Sequence, residues 1–272
     1  PVIVHTYHGH VFHSYFGDIK TFFFKSIERQ LAKKTTAIIA ISEKQKQELA
    51  IDHAIAPEEK FSVIPLGFDL SKFQEDNVRK RESFRAKYNI KEEEIAIGII
   101  GRLAPIKNHN LFFEAIRFLT NNTSKKIKAI IIGDGEERVK LEALVQEFRL
   151  ENIVIFTSWI KDIDTAYPGL DIVCLTSFNE GTPVSLIEAQ AANKPIVSTR
   201  VGGIEDVVSE NKTALLSEIN DKSKFFNNLL RLSEDRALRD AFSKEGWDFV
   251  KEKYHYIRLI NDFTTLYSKL LG

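Results

Sequence analysis

Short apolar runs alternate along the chain with longer segments in which apolar residues recur at helical spacing. Residues 1–64 give the order strand, helix, strand, helix, strand, which is half of a doubly wound α/β domain. Residues 95–198 repeat the alternation so regularly that they predict a parallel sheet with helices on both faces. The predicted strands are 1–6, 36–41, 61–64, 95–100, 128–132, 153–156, 171–176 and 195–198. The predicted helices are 19–34, 42–53, 110–119, 136–148, 163–167 and 183–192, with further helices from 222 to 271.

A charged segment from Asn77 to Glu94 interrupts this alternation and marks the expected boundary between two domains. We expect domains at residues 1–75 and 76–255, followed by a C-terminal helix at residues 256–272. A basic cluster in this segment is either a patch for lipid headgroups or, as we favour, the solvated face of a short helix with compensating acids. The cluster consists of Arg79, Lys80, Arg81, Arg85 and Lys87.

Composition argues against several classes of function. Lysine and arginine together number 38, as do aspartate and glutamate, so the formal charge is zero and we expect no nucleic acid partner. No apolar run reaches the length of a membrane span, and the first residues do not resemble a signal peptide. The only cysteine, Cys174, falls in a predicted buried strand. We therefore expect no disulfide and a cytoplasmic location, with peripheral contact at the inner membrane face left open.

The most informative stretch is residues 177–194, S-F-N-E-G-T-P-V-S-L-I-E-A-Q-A-A-N-K, which follows a predicted buried strand. We expect Thr182 to cap the helix and Pro183 to fill its first position, where a missing N–H costs nothing. Free N–H groups around Gly181, Thr182 and Val184 would then lie at the positive end of the helix dipole. This arrangement predicts an anion site, with phosphate as the expected ligand.

Two acids accompany this anion site, Glu180 in the loop before the helix and Glu188 in its second turn. A carboxylate beside bound phosphate is suited to accept hydrogen bonds from hydroxyl groups, as acidic residues do on ribose in dinucleotide folds. Taken alone, Glu188 also fits a solvated position on the flank of an amphipathic helix. The pair favours the binding role.

Other strand ends contribute to the same site, because ligands of open α/β sheets bind beyond the carboxyl ends of the strands. Arg102 can grip phosphate oxygens through two N–H groups, and Lys107 supplies a point charge. We expect both to face the amides at residues 181–184; the alternative is a surface loop with two ordinary cations. Gly133 and Gly135 are interpreted as a tight turn bordering the nucleotide, since a full G-x-G-x-x-G is absent.

The sequence from Glu180 to Gly203 closely resembles the donor-site signature of retaining family 4 glycosyltransferases of the GT-B fold, which has two glutamates separated by seven residues. The resemblance spans nearly the whole chain and is strongest from Gly98 to Gly203. It implies an α/β chain of GT-B type, with two Rossmann-like domains and parallel sheets. The first, acceptor-side domain is expected to be incomplete, and the last helix to return to pack on it.

The resemblance also implies roles for the candidate residues. Arg102 and Lys107 would hold the donor diphosphate, Glu180 would orient the sugar, and Glu188 would hold ribose. His8 matches a histidine beside the donor sugar. The implied catalytic residues are Glu180, His8, Arg102 and Lys107, and the implied donor-binding residues are Gly181, Thr182, Val184, Glu188, Gly133 and, through its main chain, Ile160.

Two patterns could indicate a metal. Asp162 and Asp164 have the spacing of a metal-binding D-x-D, but their position before a short helix favours capping. The histidines near the start of the chain lack a cysteine or carboxylate ligand set with recognisable spacing. We therefore predict no metal and no cofactor. These histidines are His5, His8, His10 and His13.

Together with the resemblance, which alone implies retention, these residues lead us to expect a retaining transferase that moves a sugar from a UDP or GDP sugar to a hydroxyl acceptor in polysaccharide or glycolipid biosynthesis. The expected partners are the nucleotide sugar and a carbohydrate or lipid-linked acceptor, with a second polypeptide to complete the first domain as a further option. A nucleotide-sugar-binding module without turnover and a sugar-nucleotide epimerase of the same fold remain the alternatives. A two-carboxylate hydrolase does not fit, because it has no need of an Arg and Lys phosphate clamp.

Overall fold

The structure is a computed structural model that describes residues 1–8 and 18–272. Within these residues the strands and helices alternate as the sequence pattern predicts. The strands are β1 (Val4–Tyr7), β2 (Ala37–Ala40), β3 (Phe61–Val63), β4 (Glu94–Ile100), β5 (Lys126–Ile132), β6 (Val154–Ser158), β7 (Ile172–Leu175), β8 (Ile196–Thr199) and β9 (Ala214–Ser217). The α-helices are α1 (Asp18–Lys34), α2 (Glu43–Gln47), α3 (Asn77–Lys87), α4 (His109–Asn122), α5 (Arg138–Glu147), α6 (Val184–Ala191), α7 (Ile204–Val207), α8 (Lys222–Glu234), α9 (Arg236–Tyr254) and α10 (Tyr256–Leu271).

A few elements differ from the predicted ones. The helix expected at residues 42–53 is an α-helix only as far as Gln47 and continues as a π-helical turn, Glu48–Asp52. The helix expected at residues 163–167 is replaced by two 3-10 turns, Ile163–Thr165 and Tyr167–Gly169. Proline and glycine within the second turn explain its shortness, because neither residue favours a continuing helix. The sequence pattern does not predict β9 or α7.

The chain forms two compact units, one made of Pro1–Asp69 and Glu252–Gly272, the other of Leu70–Lys251. The first unit contains a parallel sheet in the order β1-β2-β3. Because neighbouring residues of a strand face opposite sides, Ile38 packs with Leu49 on one face and Ile39 packs with Leu266 of α10 on the other. The sheet of the first unit is thus buried on both faces, as parallel sheets generally are.

The second unit contains a parallel sheet in the order β6-β5-β4-β7-β8-β9. The chain runs outward from β4 through β5 and β6, then crosses to β7 on the other side of β4. The strand order therefore reverses between β4 and β7, and their carboxyl ends border the crevice in which open α/β sheets bind ligands. Ile97 and Ile99 of β4 are fully buried against the helices that cover the sheet.

The basic cluster belongs to α3 and is only in part the solvated face that the sequence predicts, because Arg79 and Lys87 are exposed whereas the other three members are paired. Lys80 pairs with Asp164 at 2.8 Å, and Arg81 and Arg85 reach the two carboxylate oxygens of Asp171 at 3.1 and 3.2 Å. The Arg85 side chain is only 4% exposed. Lys80, Arg81 and Arg85 thus connect α3 to the segment that leads into β7, and their charges are already paired.

Candidate functional site

Two loops meet beyond the carboxyl ends of β4 and β7. The first carries the 3-10 turn Pro105–Lys107, and the second runs from Thr176 to Pro183. The Thr176 hydroxyl donates to the Lys107 carbonyl at 2.9 Å, and the Phe178 N–H donates to the Ile106 carbonyl at 2.8 Å. These bonds fix the two loops side by side at the point where the strand order reverses.

The loops bring Lys107 and Glu180 into direct contact. Lys107 Nζ donates to Glu180 Oε1 at 2.6 Å, and Ser177 Oγ donates to the same oxygen at 2.5 Å. The Glu180 side chain is 10% exposed and that of Lys107 is 24% exposed, so the ion pair is largely shielded from water. In the described part of the chain Oε2 of Glu180 makes no hydrogen bond, which leaves it open to a ligand hydroxyl.

The turn at Glu180 and Gly181 rests on a pair of glycines that follow β8. A Cβ on Gly202 would lie 1.8 Å from the Glu180 carbonyl oxygen, and a Cβ on Gly203 would lie 2.0 Å from that of Gly181. The Gly203 N–H also donates to the Glu180 carbonyl at 3.0 Å. Sequence reasoning missed this support, although two adjacent glycines directly after a strand are a signal of close backbone approach.

Helix α6 begins at Val184, with Pro183 as its N-cap and no capping hydrogen bond from a side chain. The prediction that Thr182 caps this helix is therefore wrong, because Thr182 lies one residue before the cap position. The first N–H groups of the helix, including those of Val184 and Ser185, have no acceptor within it. Together with Gly181, which is exposed, they present donors and the positive end of the helix dipole beside Glu180.

Glu188 lies on the side of α6 that faces Tyr167, a residue that sequence reasoning did not assign to the site. The Tyr167 hydroxyl lies 3.0 Å from Glu188 Oε2 and 2.9 Å from the Ser185 carbonyl oxygen. Burial raises the pKa of the Glu188 carboxyl, and the Tyr167 hydrogen bond and the charge of Lys72 act against that rise. Glu188 is thus a partly buried, oriented carboxylate, and not the solvated flank residue of the alternative interpretation.

Arg102 is placed differently from Lys107. Its Nε and Nη2 atoms both lie 3.1 Å from Glu136 Oε2, and 67% of its side chain is exposed. Among the described residues, Lys107 pairs with Glu180, whereas Arg102 pairs with Glu136. The role of Arg102 in a phosphate clamp stays a prediction.

The ends of β5 and β6 lie on the same side of the sheet as the end of β4, because the three strands are parallel neighbours. Gly133 has a φ of +140°, and a Cβ there would lie 1.9 Å from the Gly101 carbonyl oxygen. Its N–H donates to the Ser158 carbonyl at 3.1 Å, which draws the β6 end toward β5. Packing alone therefore explains Gly133. Ile160 is partly buried and follows the exposed Trp159, and its main-chain contact with a base stays a prediction.

The residues considered as metal ligands are separated or otherwise engaged. Asp162 occupies the N-cap position of a 3-10 turn but makes no capping bond through its side chain, so the capping expectation is wrong for that side chain. Asp164 pairs with Lys80. Among the described residues no three histidine, cysteine, aspartate or glutamate side chains form a group suited to a metal ion. His10 and His13 lie outside the described residues, and His8 is exposed directly after β1.

Comparison with protein families places this arrangement in a known group. The family described as glycosyl transferases group 1 matches residues 80–248, which contain Lys107, Glu180 and Glu188. The chain belongs to the group 1 glycosyl transferases. A second family, described as glycosyltransferase family 4, matches residues 1–72. The resemblance drawn from the spacing of the two glutamates is confirmed.

Two curated relatives are a galactosyltransferase and a glycosyltransferase of capsular polysaccharide biosynthesis. The UDP-Gal:alpha-D-GlcNAc-diphosphoundecaprenol alpha-1,3-galactosyltransferase of Escherichia coli is 29% identical over all of this chain, which covers 70% of that protein. The capsular polysaccharide biosynthesis glycosyltransferase CapM of Staphylococcus aureus is 25% identical over 87% of the chain, which covers 62% of CapM. The chain thus spans 62 to 70% of the length of these two relatives.

Solved structures show the same architecture. Anabaena HepE in complex with UDP aligns with a TM-score of 0.87 and 19% identity, over 98% of this chain and 72% of that one. A glycosyltransferase from Rickettsia africae aligns with a TM-score of 0.85 and 20% identity, over 99% of this chain and 70% of that one. The predicted GT-B type α/β fold with two parallel sheets is confirmed. Of the helices described, none is both long enough and apolar enough to cross a bilayer.

Proposed function

We propose that the protein transfers a sugar from a UDP sugar to a hydroxyl acceptor with retention of configuration. The supporting observation is the contact of Lys107 with Glu180 beside the open N-terminus of α6. We assign the reaction to polysaccharide or glycolipid assembly, because the relatives include a galactosyltransferase that acts on a diphosphoundecaprenol-linked sugar and a capsular polysaccharide enzyme. The acceptor in this proposal is a carbohydrate carried on a lipid diphosphate.

The diphosphate of the donor would lie between Lys107 and the first turn of α6. An ammonium group has three donors, and Lys107 uses one of them on Glu180, so it can hold a phosphate oxygen without losing that carboxylate. The N–H groups of Gly181, Thr182 and Val184 supply the remaining donors. Negative charge grows on the UDP as it leaves. These fixed N–H and ammonium groups therefore stabilise the transition state more than they stabilise the bound UDP sugar.

The two glutamates hold the two ends of the donor in this proposal. Glu180 is oriented through Oε1, so its Oε2 accepts from a hydroxyl of the sugar. Glu188 is oriented through Oε2 by Tyr167, so its Oε1 accepts from the ribose hydroxyls. Gly133 and the main chain of Ile160 border the base. We further propose that Arg102 leaves Glu136 and binds the diphosphate when the donor is present, because its exposed side chain is free to move.

The first unit supplies the acceptor side in this proposal, and the second unit supplies the donor site. We propose the same division of roles for the predicted domains at residues 1–75 and 76–255. His8 lies beyond the carboxyl end of β1, and the role beside the donor sugar that the resemblance implies for it stays a prediction. The C-terminal helix at residues 256–272 completes the first unit.

The test is release of UDP from UDP-glucose or UDP-galactose in the presence and absence of a lipid-diphosphate-linked sugar. We expect release only with the acceptor, and a loss of about a hundredfold or more in Glu180→Gln, which removes charge beside the reacting sugar. Glu93→Gln is the matched control, because Glu93 pairs with Lys126 at 3.4 Å on an exposed surface. Donor binding without release would indicate the binding module, and donor conversion without acceptor would indicate the epimerase; either result overturns the proposed transferase.

A further inference from the structure

The first unit contains a cavity of about 650 Å³. It lies between the C-terminal half of α1 and the segment that follows the π-helical turn Glu48–Asp52. Its walls are mainly apolar, with Ile55, Pro57 and several alanines, and three cations complete the lining. These cations are Arg29, Lys33 and Lys60. A concave apolar site of this volume with a few polar groups is typical of small-molecule binding.

The cavity lies at the end of the sheet opposite His8. Helix α1 ends at Lys34, just before the amino end of β2 at Ala37, and Lys60 directly precedes the amino end of β3. His8 follows the carboxyl end of β1, and all three strands are parallel. A ligand in this cavity would therefore bind away from the edge of the sheet at which His8 lies.

Among the residues that the structure describes, the three cations of the cavity have no acidic partner. Arg29 donates to the carbonyls of His53 and Ala54 at 2.7 and 3.1 Å, and Lys60 donates to those of Ala32 and Thr35, both at 2.9 Å. Carbonyl dipoles orient these side chains but do not neutralise them. The cavity lining contains no aspartate or glutamate, and in the described residues Arg29, Lys33 and Lys60 form no ion pair with a carboxylate.

Cations without a counter-charge beside apolar walls restrict the class of ligand that fits this cavity. A neutral apolar molecule would leave three cations beside it without a counter-charge, and a free anion would leave the apolar walls in water. Lys60 uses two of its three donors on carbonyls, and Lys33 is exposed at the rim, so both have donors available. We propose that this cavity binds an amphiphile with a phosphate head and a short alkyl chain. The head contacts Lys33 and Lys60, and the chain packs against Ile55 and Pro57.

Calorimetric titration of the full chain with octyl phosphate, kept below its micellar concentration, tests this proposal. We expect saturable binding of one equivalent, with inorganic phosphate and octyl glucoside at least about tenfold weaker, since each supplies only half of the interaction. Absence of saturable octyl phosphate binding would overturn the proposal. Equal binding of octyl glucoside would overturn the role of the cations, and equal binding of inorganic phosphate would overturn the role of the apolar walls.

Two neighbouring lysines supply a matched pair of variants. Lys33 lines the cavity and Lys34 does not, and both are exposed residues in the last turn of α1. Lys33→Glu should weaken octyl phosphate binding about tenfold or more, because it replaces a charge-assisted contact with repulsion, whereas Lys34→Glu should change it less than about twofold. Equal losses of octyl phosphate affinity in the two variants would show that the amphiphile binds to the charged surface in general, and would overturn its assignment to the cavity. Ala50→Leu, which narrows the cavity without changing charge, should also weaken binding.

A vesicle-binding experiment distinguishes a membrane lipid from a soluble alkyl phosphate as the natural ligand. Co-sedimentation with vesicles containing phosphatidic acid, reversed by octyl phosphate and abolished by Lys33→Glu, would identify a membrane lipid as the natural ligand. Octyl phosphate binding without vesicle binding would identify a soluble alkyl phosphate. Vesicle binding that persists in Lys33→Glu while octyl phosphate binding is also unchanged would overturn the proposal.

Discussion

Lys107 Nζ lies 2.6 Å from Glu180 Oε1, although the two residues are 73 positions apart in the chain. The contact exists because the loops after β4 and β7 meet where the strand order reverses. It joins the cation proposed for the diphosphate to the carboxylate proposed for the sugar. Loss of either residue should therefore disturb the other half of the donor site, since the remaining charge would lose its partner in a largely shielded position.

Replacing Lys107 should weaken diphosphate binding selectively. In Lys107→Ala we expect the affinity for UDP to fall about ten- to hundredfold, because one charge-assisted hydrogen bond to phosphate is lost. The affinity for uridine should stay within about twofold. Isothermal titration with both ligands measures the difference, and Lys126→Ala, in the exposed pair with Glu93, should leave both affinities unchanged. Equal losses for UDP and uridine in Lys107→Ala would reject the phosphate contact.

Gly203→Ala should impair donor binding through backbone geometry. The new Cβ would lie 2.0 Å from the Gly181 carbonyl oxygen, so the turn that presents the α6 amides must move. We expect UDP affinity to drop about tenfold or more, as fixed donors lose their alignment. Gly246→Ala is the control, because its Cβ would meet the Gln190 carbonyl oxygen at 2.8 Å, away from the turn. If both variants lower the melting temperature alike and both keep UDP affinity, the turn is not required for binding.

Much of the second unit could be predicted from sequence because local patterns determine it. Buried strands, the turn at Gly181 and the helix beginning near Val184 follow from apolar runs and from proline and glycine positions. The prediction of the Thr182 cap was wrong because an N-cap can be assigned only if the first residue of the helix is known. Sequence patterns do not define helix boundaries to within one residue. The meeting of the Lys107 and Glu180 loops follows from the convergence of loops at the carboxyl ends of parallel strands, whereas no such rule predicts that the Arg102 side chain pairs with Glu136.

Long-range packing explains what sequence did not predict. Arg85 and Asp171 are 86 positions apart, so nothing local indicates that the basic cluster on α3 is held by the start of β7. Tyr167 belongs to a short 3-10 turn whose packing against α6 depends on the whole unit. For the same reason the sequence did not indicate the role of Gly202 and Gly203. Their neighbours are the backbone carbonyl oxygens of Glu180 and Gly181, which lie in a different loop.

Tyr167 is predicted to position Glu188 for ribose. Tyr167→Phe keeps the buried ring and removes only the hydroxyl that contacts Glu188, so the carboxylate loses its orientation. We expect the preference for UDP over 2′-deoxy-UDP to shrink about three- to tenfold, with little change in 2′-deoxy-UDP affinity, because one hydrogen bond is worth about 1 kcal/mol. Glu188→Ala should abolish the preference. Tyr88→Phe, in the same unit, should leave it intact; an unchanged preference in both Glu188→Ala and Tyr167→Phe would remove the ribose assignment.

His109 gives the second unit a specific dependence on acid. It is the first residue of α4, it is 1% exposed, and its Nδ1 atom has no hydrogen-bond partner. Burial, reinforced by the charge of Lys107 and opposed by that of Glu137, lowers its pKa from 6.5 to about 4. Between these two values the unfolded chain binds a proton that the folded chain does not. The contribution of His109 to the free energy of unfolding is therefore most favourable above pH 6.5 and becomes less favourable as the pH drops toward 4.

This dependence should disappear when His109 is replaced by a residue that does not titrate. Between pH 7 and pH 5 we expect the histidine to cost the folded state about 2 kcal/mol, since one pKa unit corresponds to about 1.4 kcal/mol. Urea unfolding followed by tryptophan fluorescence measures this in the relevant unit, because both tryptophans, Trp159 and Trp247, lie in Leu70–Lys251. Between pH 7 and pH 5, the free energy of unfolding of His109→Gln should fall by about 2 kcal/mol less than that of the wild type. The free energy of unfolding of His8→Gln should fall as much as that of the wild type. A His109→Gln variant that keeps the full acid dependence would show that other groups cause it.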